Sequence, residues 1–311
     1  MRRGLMIGLS VAAIGALLVG AAWAWTNRQG GTAGGWLSGW NDPARALAAQ
    51  VTRAEAKGQW PQAVELGERV LHDYPHAAHL DHALLALGSA YAHQDRLVEA
   101  RTAYQRLMNE LTNSPLVGEA QERLGDINIR LLFSPIVTAQ DASYEVQPGD
   151  SLTKIARQFR TTVELLNRAN HLTGDTIRPR MHLKIPKTSF SVVVNKSQNT
   201  LTLKNAEEVW KVYRVATGKD NSTPVGTFHI TSRIPNPPWY TPQGVIPFGD
   251  PRNILGTHWL GFDKPGYGLH GTADPSSIGK QATAGCVRLA NTDVEELYTL
   301  LPLDTQVMII D

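Results

Sequence analysis

The first hydrophobic run along the chain is uncharged from Gly4 to Trp25, a stretch of 22 residues. At a helical rise of about 1.5 Å per residue, that length matches the apolar thickness of a bilayer. Arg2 and Arg3 precede the run and only Arg28 follows it closely, a bias that keeps the N-terminus inside and exports the rest. Ala22-Trp23-Ala24 has the small-x-small form of a cleavage site, so a removable secretory signal competes with a retained anchor. The run exceeds a usual signal core, and Trp23 and Trp25 suit a membrane interface. The expectation is a single-pass anchor over 4–25 in the inner, cytoplasmic membrane, with everything after it in the periplasm or against the cell wall. Gln29 to Trp40 is rich in Gly, Thr, Ser and Trp, the composition of a flexible linker over 26–41.

From Asn41-Asp42-Pro43 the apolar period becomes helical. Asp before Pro marks a helix start, with a capping carboxylate and a proline in the first turn. Trp60-Pro61-Gln62-Ala63-Val64 opens a helix ending near Asp73-Tyr74-Pro75, and Arg96-Leu97-Val98-Glu99-Ala100 opens another ending near Asn113-Ser114-Pro115, with Ala63 and Ala100 37 residues apart. Between them, Leu84 to Tyr91 places Gly88 and small neighbours where paired helices must approach closely. The pattern predicts tetratricopeptide-like repeats over 42–132, units that stack because none can bury its own apolar face alone. Such stacks suit a protein partner; a helical spacer is the plainer reading.

The helical period stops near Phe133-Ser134-Pro135. Tyr144 to Val146 alternates as a short strand and Pro148-Gly149 makes a turn. Asp150 or Ser151 can cap a helix carrying Leu152, Ile155, Ala156 and Phe159. A second helix carries Val163, Leu165 and Leu166, and Met181 to Pro186 closes a β-α-α-β unit over 143–187. Period two then dominates. Phe190 to Asn195 and Thr200 to Leu203 read as a hairpin, Glu208 to Ala216 as a third strand and Thr223 to Ile230 as a turn into a fourth. Prolines and glycines between Ile234 and Pro251 exclude helix, which returns only at Thr292 to Tyr298. A last strand spans Thr305 to Ile310, so 188–311 is expected to be mostly β.

Charge and composition narrow the chemistry. A net charge of +2 gives no reason to expect nucleic acid as a partner. His72, His76, His79, His82 and His93 belong to no zinc signature and read as surface histidines. Cys286 is the only cysteine. In an exported chain it has no disulfide partner within the molecule, which marks a reactive thiol, although buried cysteines are commonly inert core. His270 lies 16 residues before it, with glycines beside both; an imidazole is what a thiol needs to be deprotonated, and glycines let backbone amides approach a reacting carbonyl.

Gly149-Asp150-Ser151-Leu152, Ile155-Ala156, Asn170 and Leu183-Lys184-Ile185-Pro186 together resemble a LysM domain. The resemblance implies binding to the N-acetylglucosamine-containing glycan of peptidoglycan or chitin. Arg180 stands where the family commonly has a glycine. Thr223-Pro224-Val225-Gly226-Thr227-Phe228, Asn253-Ile254-Leu255-Gly256, Trp259-Leu260-Gly261-Phe262, His270-Gly271-Thr272, Ser277-Ile278-Gly279-Lys280 and Gly285-Cys286-Val287-Arg288-Leu289 resemble the L,D-transpeptidase (YkuD) catalytic domain. That resemblance implies acyl transfer on peptidoglycan stem peptides with Cys286 as nucleophile and His270 as proton carrier. It further implies that the Gly271 carbonyl orients the imidazole and that amides near Gly285 and Cys286 form an oxyanion hole. Arg288 is a candidate ligand for a stem carboxylate, or else a loop-fixing ion pair. Trp239 and Tyr240 are candidates for the substrate groove, or else aromatic core. Ala284 replaces a histidine common in the family. No metal or cofactor is implied. The thioester can be resolved by a second stem, by water or by a protein amine, and a silent scaffold is the reading outside catalysis.

Overall fold

The computed structural model describes residues 42–77 and 79–311. The expected anchor and linker lie outside the described residues. Among those described, no helix is long and apolar enough to cross a membrane.

Five helices come first: α1 (Pro43–Ala56), α2 (Trp60–Asp73), α3 (Leu80–His93), α4 (Leu97–Glu110) and α5 (Val117–Leu132). Pro43, Leu80 and Val117 start 37 residues apart, as do Trp60 and Leu97. The Asp42 carboxylate caps α1 by accepting the Ala44 N–H at 3.0 Å. Helix α3 is buried nearly all round and forms the centre of the helical core. The small residues allow this: a Cβ on Gly67 would lie 2.8 Å from Leu87 Cδ1, and one on Gly88 would enter the Tyr104 ring.

The next unit is β1 (Asp141–Glu145), α6 (Leu152–Gln158), α7 (Val163–Ala169) and β2 (His182–Pro186), with β1 and β2 antiparallel. Of the two possible caps, Ser151 is the one used, accepting the Lys154 N–H at 3.2 Å. Asp150 instead holds the preceding turn, accepting from Tyr144 Oη at 2.7 Å and the Gln147 N–H at 2.8 Å. Arg180 adopts φ +69°. The turn keeps the left-handed geometry that a glycine favours, at a cost of about 1–2 kcal/mol for a side chain.

The rest is built on strands β3 (Phe190–Asn195), β4 (Thr200–Asn205), β5 (Glu208–Arg214), β6 (Thr217–Gly218), β7 (Gly226–Pro235), β8 (Trp239–Thr241), β9 (Gly244–Ile246), β10 (His258–Phe262), β11 (Gly268–His270), β12 (Gln281–Thr283), β13 (Val287–Arg288) and β14 (Gln306–Ile310), with α8 (Asn291–Leu300) between the last two. Eight strands form one sheet in the order β13-β11-β10-β7-β14-β3-β4-β5. The C-terminal β14 runs parallel to β3 and antiparallel to β7, so it stitches the first hairpin to the half that carries the site. The Pro- and Gly-rich stretch contains a small β8–β9 hairpin in place of a bare loop.

The three regions share contacts. Ile129 and Leu132 of α5 and Leu165 of α7 belong to the same apolar core as Val192, Trp210 and Leu297. Helix α5 lies against β5, the edge of the large sheet, where Gln121 and Asn128 side-chain amides donate to the Val209 and Trp210 carbonyls, each at 3.3 Å. Edge carbonyls that another strand would otherwise satisfy are thereby covered.

Candidate active site

Strand register assembles the site. Strands β11 and β13 are parallel neighbours, with Leu269 opposite Val287 and His270 opposite Arg288. Cys286 immediately precedes β13, so its loop opens beside the strand that carries His270. Fifteen residues of intervening chain are looped out through β12, which pairs with β6.

His270 is 2% exposed. Its Nδ1 lies 2.7 Å from the Gly271 carbonyl; a carbonyl only accepts, so Nδ1 carries the hydrogen and Nε2 is the basic nitrogen. Trp259 stacks against the ring with centroids 6.0 Å apart. Burial pushes the imidazole pKa down to about 4, partly opposed by the Gly271 carbonyl. Cys286 is half-buried, and its thiol donates to the Gly266 carbonyl at 3.3 Å. Burial raises the thiol pKa, against smaller lowering effects of the Gly268 N–H and the Arg288 charge. At neutral pH the resting pair is thus an uncharged thiol and an uncharged imidazole.

Gly285 sits at φ +137°, where a Cβ would come 2.9 Å from Tyr267 Cε1. Its N–H donates to Thr283 Oγ1 at 3.1 Å, and that hydroxyl donates to the Cys286 carbonyl at 2.6 Å. Among the described residues nothing accepts from the Cys286 N–H, which leaves it as the free donor beside the sulfur. The Gly285 amide is already engaged in this arrangement.

Arg288 is 8% exposed and forms no ion pair among the described residues; its Nη1 donates to Ser277 Oγ at 3.0 Å, and its Nε is buried without a partner. The loop-fixing role is therefore met by a hydroxyl rather than by a carboxylate. Tyr240 is 73% exposed and Trp239 half-buried, both on β8. Tyr240 is not core, and the hairpin is pinned by Asn253, whose Nδ2 donates to the carbonyls of Pro237 at 3.0 Å and of Ile246 and Pro247 at 3.2 Å. Ala284 is exposed, two residues before Cys286. Sequence reasoning did not single out Thr283, Trp259 or Asn291 as parts of the site. Their roles follow from pairing across loops that no local pattern encodes. The one available signal was an amide-bearing residue at the helix start after the cysteine motif.

A sequence profile for the L,D-transpeptidase catalytic domain matches residues 189–309, and one for the LysM domain matches residues 144–186. The YkuD protein of Bacillus licheniformis is 37% identical over 174 residues, covering 53% of this chain and 97% of that protein. The YkuD protein of Bacillus subtilis is 35% identical over 174 residues, covering 54% of this chain and 98% of that one. The YqjB protein of Bacillus subtilis is 42% identical over 126 residues, covering 39% and 70% respectively. With near-complete coverage of two such relatives and the catalytic-domain match over the site just described, the chain belongs to the L,D-transpeptidase (YkuD) family.

Proposed function

We propose that this transpeptidase cross-links peptidoglycan stem peptides through a thioester on Cys286, with the LysM module holding it on the glycan. One observation carries the reading: an imidazole locked with its hydrogen on Nδ1 stands one strand from the loop that presents the only cysteine. On this mechanism, a stem carbonyl settles against the Cys286 N–H and displaces the thiol from Gly266. His270 Nε2 takes the thiol proton as sulfur attacks the carbonyl at the L–D junction. The same proton passes to the departing D-alanine amine, the C–N bond breaks, and the acyl group remains on sulfur. The amine of a second stem then attacks the thioester, gives its proton to His270 and restores the thiol. Arg288, whose guanidinium meets no carboxylate among the described residues, is the group of the site suited to a stem carboxylate. Tyr240 and Trp239 offer an aromatic wall to the same groove.

The repeating helices fit a tetratricopeptide-like stack whose exposed faces serve a protein partner. The N-terminal run fits an anchor that keeps the catalytic domain in the periplasm or at the wall.

The test is intact-mass analysis after incubation with a tetrapeptide stem. Wild type should gain the acyl mass, Cys286→Ala should gain none, and His270→Ala should acylate more slowly by about 100-fold or more. Acylation persisting in Cys286→Ala would reject the mechanism. Digestion of treated peptidoglycan should release new cross-linked dimers rather than only trimmed stems.

A further inference from the structure

Asn291 is the first residue of α8, and its side chain reaches away from that helix to the two segments enclosing His270. Its Oδ1 accepts the Thr272 N–H at 2.9 Å and the Thr257 N–H at 3.3 Å, while its Nδ2 donates to the Thr272 carbonyl at 3.0 Å. Both ends of the amide are therefore used, which fixes its rotation. Thr272 follows Gly271, whose carbonyl holds Nδ1 of the imidazole. Thr257 precedes His258, whose carbonyl accepts the Gly271 N–H at 3.2 Å. The segment carrying the Gly271 carbonyl and the segment paired with it are thus both tied to one side chain. Two glycines make room for it: a Cβ on either Gly256 or Gly271 would collide with Asn291 Oδ1.

We propose that Asn291 is a positioning residue, which holds the Gly271 carbonyl against His270 so that Nδ1 keeps its hydrogen and Nε2 stays the basic nitrogen. The proposal rests on the reading of His270 as the base. Docking of α8 is a separate matter, because Val294, Leu297 and Leu300 bury its apolar face independently of this amide.

The experiment compares Asn291→Ala, Asn291→Asp and Leu300→Ala in the full chain. One readout is kcat and KM for release of D-alanine from a tetrapeptide. The other is the pH profile of Cys286 alkylation by iodoacetamide, which needs no substrate. Asn291→Ala should lower kcat by about 10–100-fold with KM within about twofold, and should displace the alkylation profile, since small misplacements of a catalytic group carry losses of this size. Asn291→Asp keeps the volume and the acceptor but loses the donor; it should show a smaller loss in the same direction and serves if the alanine variant does not fold. Leu300→Ala should lower the melting temperature while leaving kcat and the profile unchanged below it. Wild-type kcat and profile in either folded Asn291 variant overturn the proposal, as does a Leu300→Ala variant that reproduces their losses. A wild-type enzyme that releases no D-alanine, beside a displaced profile in Asn291→Ala, refutes the transpeptidase mechanism and leaves the positioning role standing.

Discussion

His270 and Cys286 are each pushed toward their uncharged forms by burial, and this has a consequence for stability. Unfolded, an imidazole protonates near pH 6.5, whereas His270 resists until about pH 4. As pH falls through that window, the unfolded chain binds the proton first, so this residue lowers stability from about pH 6.5 down to about 4. The slope is at most ~1.4 kcal/mol per pH unit. Above that window both states are neutral and the residue contributes no pH dependence. Urea unfolding midpoints across this range should fall less steeply in His270→Gln than in wild type. Parallel curves in the two proteins would contradict a buried neutral imidazole. The same neutrality makes premature oxidation of the thiol slow, because the thiolate is the reactive form. Two departures from the family also resolve at single positions. Arg180 keeps the geometry of the glycine it replaces, and Ala284 leaves the edge of the nucleophile loop without an imidazole.

Helix α5 and strand β2 decide how the regions meet. Lys184 on β2 is 6% exposed, and its Nζ donates to the Leu131 carbonyl at 2.7 Å and the Ser134 carbonyl at 2.9 Å, with Asp141 at 3.8 Å. A cation at the C-terminal end of a helix satisfies carbonyls that the helix itself cannot. Burial lowers the Lys184 pKa, and the nearby Asp141 opposes that shift. Replacing it with methionine removes the ammonium from two carbonyls and leaves the buried Asp141 carboxylate with only the Thr138 N–H and hydroxyl and no cation beside it. Lys184→Met should therefore destabilise the protein by about 3–5 kcal/mol, read by chemical denaturation. A change below about 1 kcal/mol would mean that water replaces the ammonium there. On the opposite side of α5, Lys211 bridges Asp126 and Glu296, both at 3.0 Å. The helical region is thereby tied to the same α8 that carries Asn291.

The helical region, the LysM module and the catalytic sheet are joined through buried contacts rather than strung on loose linkers. Thr162 Oγ1 donates to the Thr299 carbonyl, and Glu164 pairs with Arg233 at 3.1 Å, so α7 is seated on the catalytic unit. On the proposed reading that the LysM module binds glycan, a module seated this way presents the candidate site at a set orientation. Co-sedimentation of residues 42–311 with purified peptidoglycan should exceed that of a control protein of similar charge. Retention equal to the control would remove the wall-binding role assigned to LysM.

Much of this was legible in the chain itself, because it depends on near neighbours. The 37-residue recurrence, a helix cap at Asp150 or Ser151, the alternating strands and the Gly285-Cys286-Val287-Arg288 run are local patterns, and local patterns report period, turn chemistry and residue type. The pairing of His270 with Cys286 was legible as a motif. Its physical state was not: burial by distant strands makes both groups neutral, and no spacing records burial. The β8–β9 hairpin escaped because its strands are short and rich in turn residues. Thr283 commits the Gly285 amide, Asn291 clamps two loops, and α5 covers β5, all through contacts between residues far apart in sequence. Sequence alone therefore determined the family, the order of the LysM and catalytic domains and the candidate pair. Tertiary structure decided which tautomer, which free amide and which supporting side chain make the pair a site, because these depend on desolvation and on hydrogen bonds that exist only once the chain has closed on itself.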